Sequence, residues 1–459
     1  MKPQFQNVPV QKNQCVTLSV TGQTAEGNGV GRYEGFAVFV PQTAVGDTIR
    51  VKIVKVEKRC AYGIVEEILT PSTDRIIPDC PVFSQCGGCV FRHISYEAEL
   101  RDKTAFVRDA FSRIGGLAPK EFLPIFGAET IDGCRNKAQY PCGQDAQGYL
   151  QFGFYAARSH RLIPHMDCRL QPPLFAEILR RCSDLLSGFP PYQEKTADGI
   201  LRHIYIRQGY HSQEVMVCIV ASKKILKPLK PIGEQLMVEF PQIVSVMLNI
   251  NPKPTNVILG PKTVCVCGKE TISDVFCGIP VSLSPQSFYQ VNTAQAERLF
   301  AEVRRLAAPQ KHELLLDLYC GTGVIGLSMA DAAGRIIGVE VVEQAVLDAR
   351  ENAARAGIQN AEFFAGDAGK IAAQFAQSGS KPDVMVLDPP RKGCDTVTLD
   401  ACIAMAPNRI VMVSCNPATA ARDVKYLTEH GFSLDVLRPV DLFPRTGHVE
   451  CVVLMSRKK

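Results

Sequence analysis

From about residue 312 onward, apolar runs alternate with helical stretches, and most of the runs end in residues that carry chemistry. Leu314-Leu315-Leu316 leads into Asp317-Leu318-Tyr319-Cys320-Gly321-Thr322-Gly323. Arg335 to Glu340 is followed by a helical stretch from about Glu343 to Ala356. That stretch has Val346, Ala349, Ala353 and Ala356 on one face and Gly357 as its stop. Val384 to Leu387 ends in Asp388-Pro389-Pro390-Arg391, and Arg409 to Val413 ends in Ser414-Cys415-Asn416-Pro417. The chain closes on the apolar run Val449 to Met455, interrupted by Glu450. Such βαβ alternation predicts a parallel, doubly wound sheet. A Gly turn, an acid and a thiol are then expected along one sheet edge, where open α/β folds hold their ligands.

A chain of 459 residues exceeds one typical core, so about two to four domains are expected. Short strand-like runs between Gly turns, from about 14 to 68, predict a small β-barrel. An irregular Cys-bearing stretch follows to about residue 92, and then a mixed α+β region. In that region a helix is expected from about Glu97 to Ile114 and a surface connection at Lys223 to Lys230; beyond it a helix is expected from about Ala294 to Leu306. The division is 8–69 barrel, 70–284 central domain, 285–459 C-terminal α/β domain of Rossmann-like type. No apolar run is long enough to span a bilayer, and Met1 to Asn13 lacks the apolar core of an export signal. A reducing cytoplasmic setting is therefore expected, in which most of the 18 Cys are small buried hydrophobes rather than disulfides. The net charge of +5 permits a nucleic-acid partner without demanding one.

Gly321-Thr322-Gly323-Val324-Ile325-Gly326 fits G-x-G-x-x-G between a strand and a helix. Alone, that pattern serves a dinucleotide equally well, with Glu340 at the distance of a ribose-binding acid. Two acids favour S-adenosylmethionine. Asp317 precedes the turn, where a carboxylate can meet a cationic amine. Asp367 follows a third strand, where it can accept from an adenine amine. The plainer reading is a tight βα turn with helix-capping acids. Nothing nearby resembles the acid of a hydride transfer.

Asp388-Pro389-Pro390 sets a carboxylate and a stiff backbone beside such a cofactor. Asp/Asn-Pro-Pro turns serve methylation of exocyclic amines, which needs no protein nucleophile. A cysteine one strand further on points to a ring carbon instead. Carbon 5 of uracil is a poor nucleophile until a thiolate adds to carbon 6 and makes the ring an enolate. A base must then remove the carbon-5 proton so that the thiolate can leave. Glu450 is the candidate, because burial within an apolar strand raises a carboxyl pKa toward the working range. The bland alternatives are an edge-strand glutamate facing water and a plain core thiol at Cys415.

Taken together, Asp317 to Gly323, Asp388 to Arg391, Ser414 to Pro417 and His448-Val449-Glu450-Cys451 resemble the signature of the RNA 5-methyluridine methyltransferases of the RumA/TrmA type. Phe288-Tyr289-Gln290-Val291-Asn292 resembles another motif of that family. The resemblance implies that Gln290, Tyr319, Glu340 and Asp388 line the cofactor and uracil site. It also implies Cys415 as nucleophile and Glu450 as proton acceptor. The N-terminal barrel is similar to the TRAM domain, which implies RNA binding. Arg135-Asn136-Lys137 and Arg158-Ser159-His160-Arg161 match family segments that approach RNA, with solvated surface charge as the alternative.

Cys80, Cys86 and Cys89 form a C-x5-C-x2-C set that suggests a metal in a cytosolic protein, either zinc or an iron–sulfur cluster. Spacing does not identify the fourth ligand among Cys134, Cys142 and Cys168. The RumA-like branch carries a four-iron cluster on similar cysteines, with its last ligand in a segment resembling His165 to Arg169. That implies Cys168 and a [4Fe-4S] cluster in the central domain. The combined resemblance implies S-adenosylmethionine-dependent methylation of uridine carbon 5 by a monomer. The expected partner is 23S ribosomal RNA, with transfer RNA as the alternative substrate. Competing classes are a non-catalytic RNA-binding or ribosome-assembly protein and a radical enzyme that uses the cluster for redox chemistry.

Overall fold

The computed structural model describes residues 8–194 and 196–458. The expectation about Met1 to Asn13 therefore lies in part outside the described residues. Five strands, Cys15–Gln23, Asn28–Tyr33, Phe36–Pro41, Thr48–Val56 and Cys60–Thr70, close into the predicted barrel. Their alternating inward residues, including Val16, Leu18, Val20, Ile49, Val51 and Ile53, fill it.

A seven-stranded sheet occupies the central region, built from strands between Lys137 and Gly268. Helices Pro173–Leu185 and Leu226–Glu239 cover its apolar face through Phe175, Ile178, Leu179, Leu229 and Leu236. The second helix corrects an expectation: Lys223 to Lys230 is not simply a connection, because helix begins at Leu226. Pro228 lies in the first turn, where no intrahelical donor is needed. Pro231 does cost a bond, but Leu229 and Leu236 are fully buried against the sheet. Gly233 allows the close approach, since a Cβ there would stand 2.6 Å from Cys267 Sγ.

The C-terminal sheet has eight strands, seven of them from the C-terminal unit and numbered here within it. They are β1 (Leu314–Leu318), β2 (Arg335–Glu340), β3 (Ala361–Ala365), β4 (Val384–Leu387), β5 (Arg409–Ser414), β6 (Phe432–Val440) and β7 (Glu450–Arg457). Their spatial order is β3-β2-β1-β4-β5-β7-β6, and a two-residue strand, Glu121–Phe122, joins the outer side of β6. β1 to β5 are parallel, as predicted, whereas β7 inserts antiparallel between β5 and β6. Glu450 thus opens an internal strand, not an edge.

Helix Thr293–Ala307 packs on one face of this sheet. Helix Tyr96–Asp109 and the π-helical turn Ala110–Gly115, which together replace the single predicted helix, reach the other through Val107 and Phe111. Among the described residues, no helix is long and apolar enough to cross a membrane.

Candidate active site

The parallel strands deliver their C-terminal ends to one edge. β1 leaves the sheet through Tyr319, which takes a left-handed φ of 65°, into Gly321 and Gly323, at φ 54° and 79°. A Cβ on Gly321 would meet nothing within 4 Å, so the turn faces open space. On Gly323 it would strike the Phe363 ring at 2.7 Å, so that glycine is needed for packing as well as for conformation.

Glu340, at the end of β2, braces this turn. One carboxylate oxygen accepts from the Gly321 amide at 3.1 Å and the other from the Val342 amide at 2.8 Å. Val341 and Val342 beside it are exposed apolar residues. Asp317 has no exposure and lies beneath the turn. Its Oδ2 accepts from the Gly326 amide at 3.0 Å, while Oδ1 is buried with no partner. Burial pushes its pKa up to about 8, and Asp388 and Glu340 add to the effect. Asp367 is exposed and caps helix Ala368–Gln377 by accepting from the Lys370 amide at 3.1 Å. The capping role weighed for the acids is therefore seen at this one. Tyr319 is half-buried, with its hydroxyl 3.1 Å from Thr398 Oγ1.

Cys415 leaves β5 one residue beyond Ser414, and the antiparallel register pairs Ser414 with Cys451. Cys415 and Glu450 each lie one residue beyond that last pair, at the same end of the ladder. The turn is locally locked. Ser414 Oγ accepts from the Asn416 amide at 3.2 Å and donates to the Asn416 carbonyl at 3.1 Å. Asn416 caps helix Pro417–Glu429, with Pro417 as its first residue. Cys415 therefore immediately precedes a helix N-terminus, whose dipole favours a thiolate.

Asn416 Nδ2 and Thr419 Oγ1 both donate to the Arg391 carbonyl, at 3.1 and 3.3 Å, which ties the Asp388–Arg391 turn to the cysteine turn. The Arg391 guanidinium donates to His448 Nδ1 at 2.9 Å. His448 accepts as a neutral ring, in keeping with a pKa lowered first by burial and then by Arg391.

The charges here compete. Burial raises the Cys415 thiol above its ordinary value, Glu450 and Asp388 push it further, and Arg391 opposes them. Glu450 is only 5% exposed, and burial pushes its pKa up to about 8, helped by Asp388 and opposed by Arg391. Asp388 is raised to about 7 by burial. Three carboxyls, Asp317, Asp388 and Glu450, thus have pKa values near neutrality, whereas the Cys415 thiol is held protonated by its surroundings.

Gln290 lies at the approach to helix Thr293–Ala307 and is half-buried. Its carbonyl and Thr293 Oγ1 both accept from Asn136 Nδ2, each at 2.8 Å. Asn136 is buried, so its expected place on the RNA-facing surface is corrected: it holds the Gln290 loop. Phe288 in the same loop is 72% exposed. Sequence reasoning missed the roles of His448 and Thr398, because each depends on contacts across turns distant in sequence.

Cys80, Cys86, Cys89 and Cys168 are all half-buried and unbridged. The Cys168 thiol is pushed up to about 12 by burial, with Cys89 and Cys86 close enough to raise it further. Cys86 is raised by burial and then by Cys80. Cys142 is raised by burial alone, and Cys134 has no thiol among the groups acting on it. Among the described residues, no three His, Cys, Asp or Glu side chains converge to hold a single metal ion.

Two family models match the chain. The one described as tRNA (Uracil-5-)-methyltransferase matches residues 281–458, and the TRAM domain model matches residues 9–65. A protein described as an uncharacterized RNA methyltransferase from Bacillus cereus is 40% identical over 98% of each chain. A relative of the same description from Halalkalibacterium halodurans is 39% identical over 99% of each. The fold is similar to that of the Pyrococcus abyssi tRNA (uracil-54, C5)-methyltransferase in complex with S-adenosyl-L-homocysteine. That similarity has a TM-score of 0.76 at 24% identity and covers 95% of this chain and 99% of that one. With relatives this similar over its whole length and a matching C-terminal domain, the chain belongs to the RNA (uracil-5-)-methyltransferase family and carries a TRAM domain at its N-terminal end.

Proposed function

We propose that the chain methylates carbon 5 of a uridine in 23S ribosomal RNA, using S-adenosylmethionine and a covalent Cys415 adduct. The observation that carries the reading is the placing of Cys415 and Glu450 one residue beyond the Ser414–Cys451 pair, with Glu450 near enough to raise the thiol. The open space over Gly321, the acid Glu340 and the unpartnered Oδ1 of Asp317 fit a cationic nucleoside ligand. S-adenosylmethionine would supply an electrophilic methyl group there. Gln290, Tyr319, Asp388 and Asp367 complete the proposed lining.

Cys415 Sγ bonds to carbon 6 of uracil, and the displaced electron pair makes carbon 5 nucleophilic. Once carbon 5 carries the methyl group, Glu450 takes its proton. The C–H pair restores the ring double bond, and the carbon–sulfur bond breaks to return the thiolate. Arg391 and the helix N-terminus favour that thiolate against the burial that opposes it. The target ring must be unstacked to reach this edge, so an RNA loop is the favoured substrate.

In the central domain, Cys80, Cys86, Cys89 and Cys168 are the proposed holders of a [4Fe-4S] cluster. A cluster takes each thiolate at a separate iron, so its ligands need not meet at one point as they would around zinc. The mutual influence of Cys86, Cys89 and Cys168 supports this set over Cys134 or Cys142. The pairing of TRAM barrel and cysteine set favours ribosomal RNA in the cytoplasm. Transfer RNA is the second reading, favoured by the substrate of the Pyrococcus abyssi enzyme.

Fragments of both RNAs carrying 5-fluorouridine, incubated with protein and S-adenosylmethionine, test the reading. Fluorine cannot leave as a proton does, so a complex joined through Cys415 should accumulate and be mapped by mass spectrometry. Trapping of one RNA names the substrate. No adduct with either would sink the mechanism.

A further inference from the structure

The loop between β6 and β7 is held from outside its own sheet. Arg445 in this loop is buried and adopts a left-handed φ of 66°. Such a conformation is unfavourable for a residue with a side chain and persists where the surroundings over-determine it. The Arg445 carbonyl accepts from the amides of Val90 and Phe91, at 2.8 and 3.3 Å. Its own amide donates to Glu99 Oε1 at 2.7 Å, and its guanidinium donates to the Ile94 carbonyl at 3.0 Å. With a further guanidinium contact to Glu99 Oε2 at 3.5 Å, one residue is fastened five times to the stretch that directly follows Cys89.

The rest of the loop is held in the same way. Lys103 Nζ donates to the Phe443 carbonyl at 3.1 Å. A Cβ on Gly447 would stand 1.4 Å from the Ala25 carbonyl oxygen, so the barrel presses directly on the loop. Thr446 Oγ1 donates to the Phe443 carbonyl at 2.8 Å and accepts from the His448 amide at 3.3 Å, and Glu450 follows two residues later.

We propose that Arg445 is a positioning residue for the release step: it fixes the loop that delivers Glu450 and takes its own position from the Val90–Glu99 stretch. The proposal rests on the reading of Glu450 as the base. Formation of the Cys415–carbon 6 bond and methylation of carbon 5 do not need that base. Breaking the adduct does, because the carbon-5 proton must pass to Glu450 as the carbon–sulfur pair returns to Cys415. Loosening the loop should therefore spare the first steps and slow the last.

The test uses Arg445→Gly, which accepts the left-handed backbone and removes the guanidinium, and Arg445→Lys, which keeps a cation. With ordinary uridine RNA and S-adenosylmethionine, methyl transfer is measured in a single turnover, and methylated RNA still attached to protein is measured at steady state. Arg445→Gly should transfer methyl at a near-normal rate yet hold about tenfold or more attached RNA, with Arg445→Lys in between. Equal loss of transfer and release in folded protein, or no rise in attached RNA, overturns the proposal. If Arg445→Gly does not fold, the same ratio in Arg445→Lys decides. Glu450→Gln is run beside them. If it accumulates no attached RNA, the reading of Glu450 fails, and that failure is distinct from one at Arg445.

Discussion

Cys415 and Glu450 both lie one residue beyond the Ser414–Cys451 pair that closes the β5–β7 ladder, near enough that Glu450 raises the Cys415 thiol. The relationship exists because β7 runs antiparallel between β5 and β6. A strand entering from the opposite direction brings its first residue to the edge where the parallel strands bring their last. The proposed nucleophile and the proposed base are thereby contributed from adjacent strands, Glu450 opening β7 and Cys415 following the last residue of β5. Glu450 also makes the Cys415 thiol harder to ionise, after the larger effect of burial.

Glu450→Gln should stabilise the protein at alkaline pH. Burial holds the Glu450 pKa at about 8, above the ordinary 4.5 of glutamate. The folded protein therefore keeps a proton that the unfolded chain has already released. Stability from this group is full below the unfolded value and is lost as pH rises through about 8. Gln has no proton to lose. Thermal melts of the two proteins should coincide near pH 4 and diverge by on the order of a few kcal/mol at pH 8, the variant being more stable. Coincidence across the whole range would show that Glu450 is not held protonated.

Gly321→Ala and Gly323→Ala should separate cofactor binding from stability. At Gly321 a Cβ meets only open space, so the left-handed φ alone costs about 1–2 kcal/mol while the methyl intrudes where the ligand is proposed. At Gly323 the same conformational cost is joined by the clash with Phe363, for a loss of about 2–5 kcal/mol. Thermal melts and calorimetric titration with S-adenosylhomocysteine check both. Gly321→Ala should lose affinity about tenfold or more with a small drop in melting temperature, and Gly323→Ala should show the larger drop.

The sequence revealed most where an apolar run ends in chemistry. The turns after β1, β4 and β5 were each legible from a few adjacent residues, because strand, turn and functional group are local. Glu450 was legible as a misfit in an apolar run, but its neighbour was not, since register across an antiparallel pair depends on topology. Arg445 gave no signal, because its partners Val90, Phe91, Ile94 and Glu99 lie some 350 residues upstream. The start of helix Leu226–Glu239 reads as a connection because lysines and Pro228 argue against helix locally, while burial of Leu229 and Leu236 decides it globally.

Lys103→Met should be strongly destabilising. Lys103 has no exposure and donates to Glu99 Oε1 at 2.8 Å and Asp441 Oδ1 at 2.6 Å. Asp441 Oδ2 also accepts from the Tyr96 hydroxyl at 2.6 Å. Removing the ammonium leaves two carboxylates enclosed without their shared cation, a change that costs about 3–5 kcal/mol. Urea denaturation should show the midpoint falling accordingly. Replacing the acids as well, with Glu99→Gln and Asp441→Asn, should recover part of the loss, and a midpoint unchanged in the single variant would refute the network.

Cys168→Ala and Cys142→Ala distinguish the proposed cluster ligands, because burial raises both thiols while only Cys168 feels Cys86 and Cys89. A thiolate held at an iron has no need to carry the proton that burial imposes, so ligation as proposed would relieve at Cys168 a cost that stays in place at Cys142. Protein purified without oxygen should contain iron and acid-labile sulfide. Cys168→Ala should lose most of both, together with the visible absorption, and Cys142→Ala should keep them. Loss in Cys142→Ala alone would move the fourth ligand to that position. Zinc without labile sulfide in the unaltered protein would remove the cluster altogether.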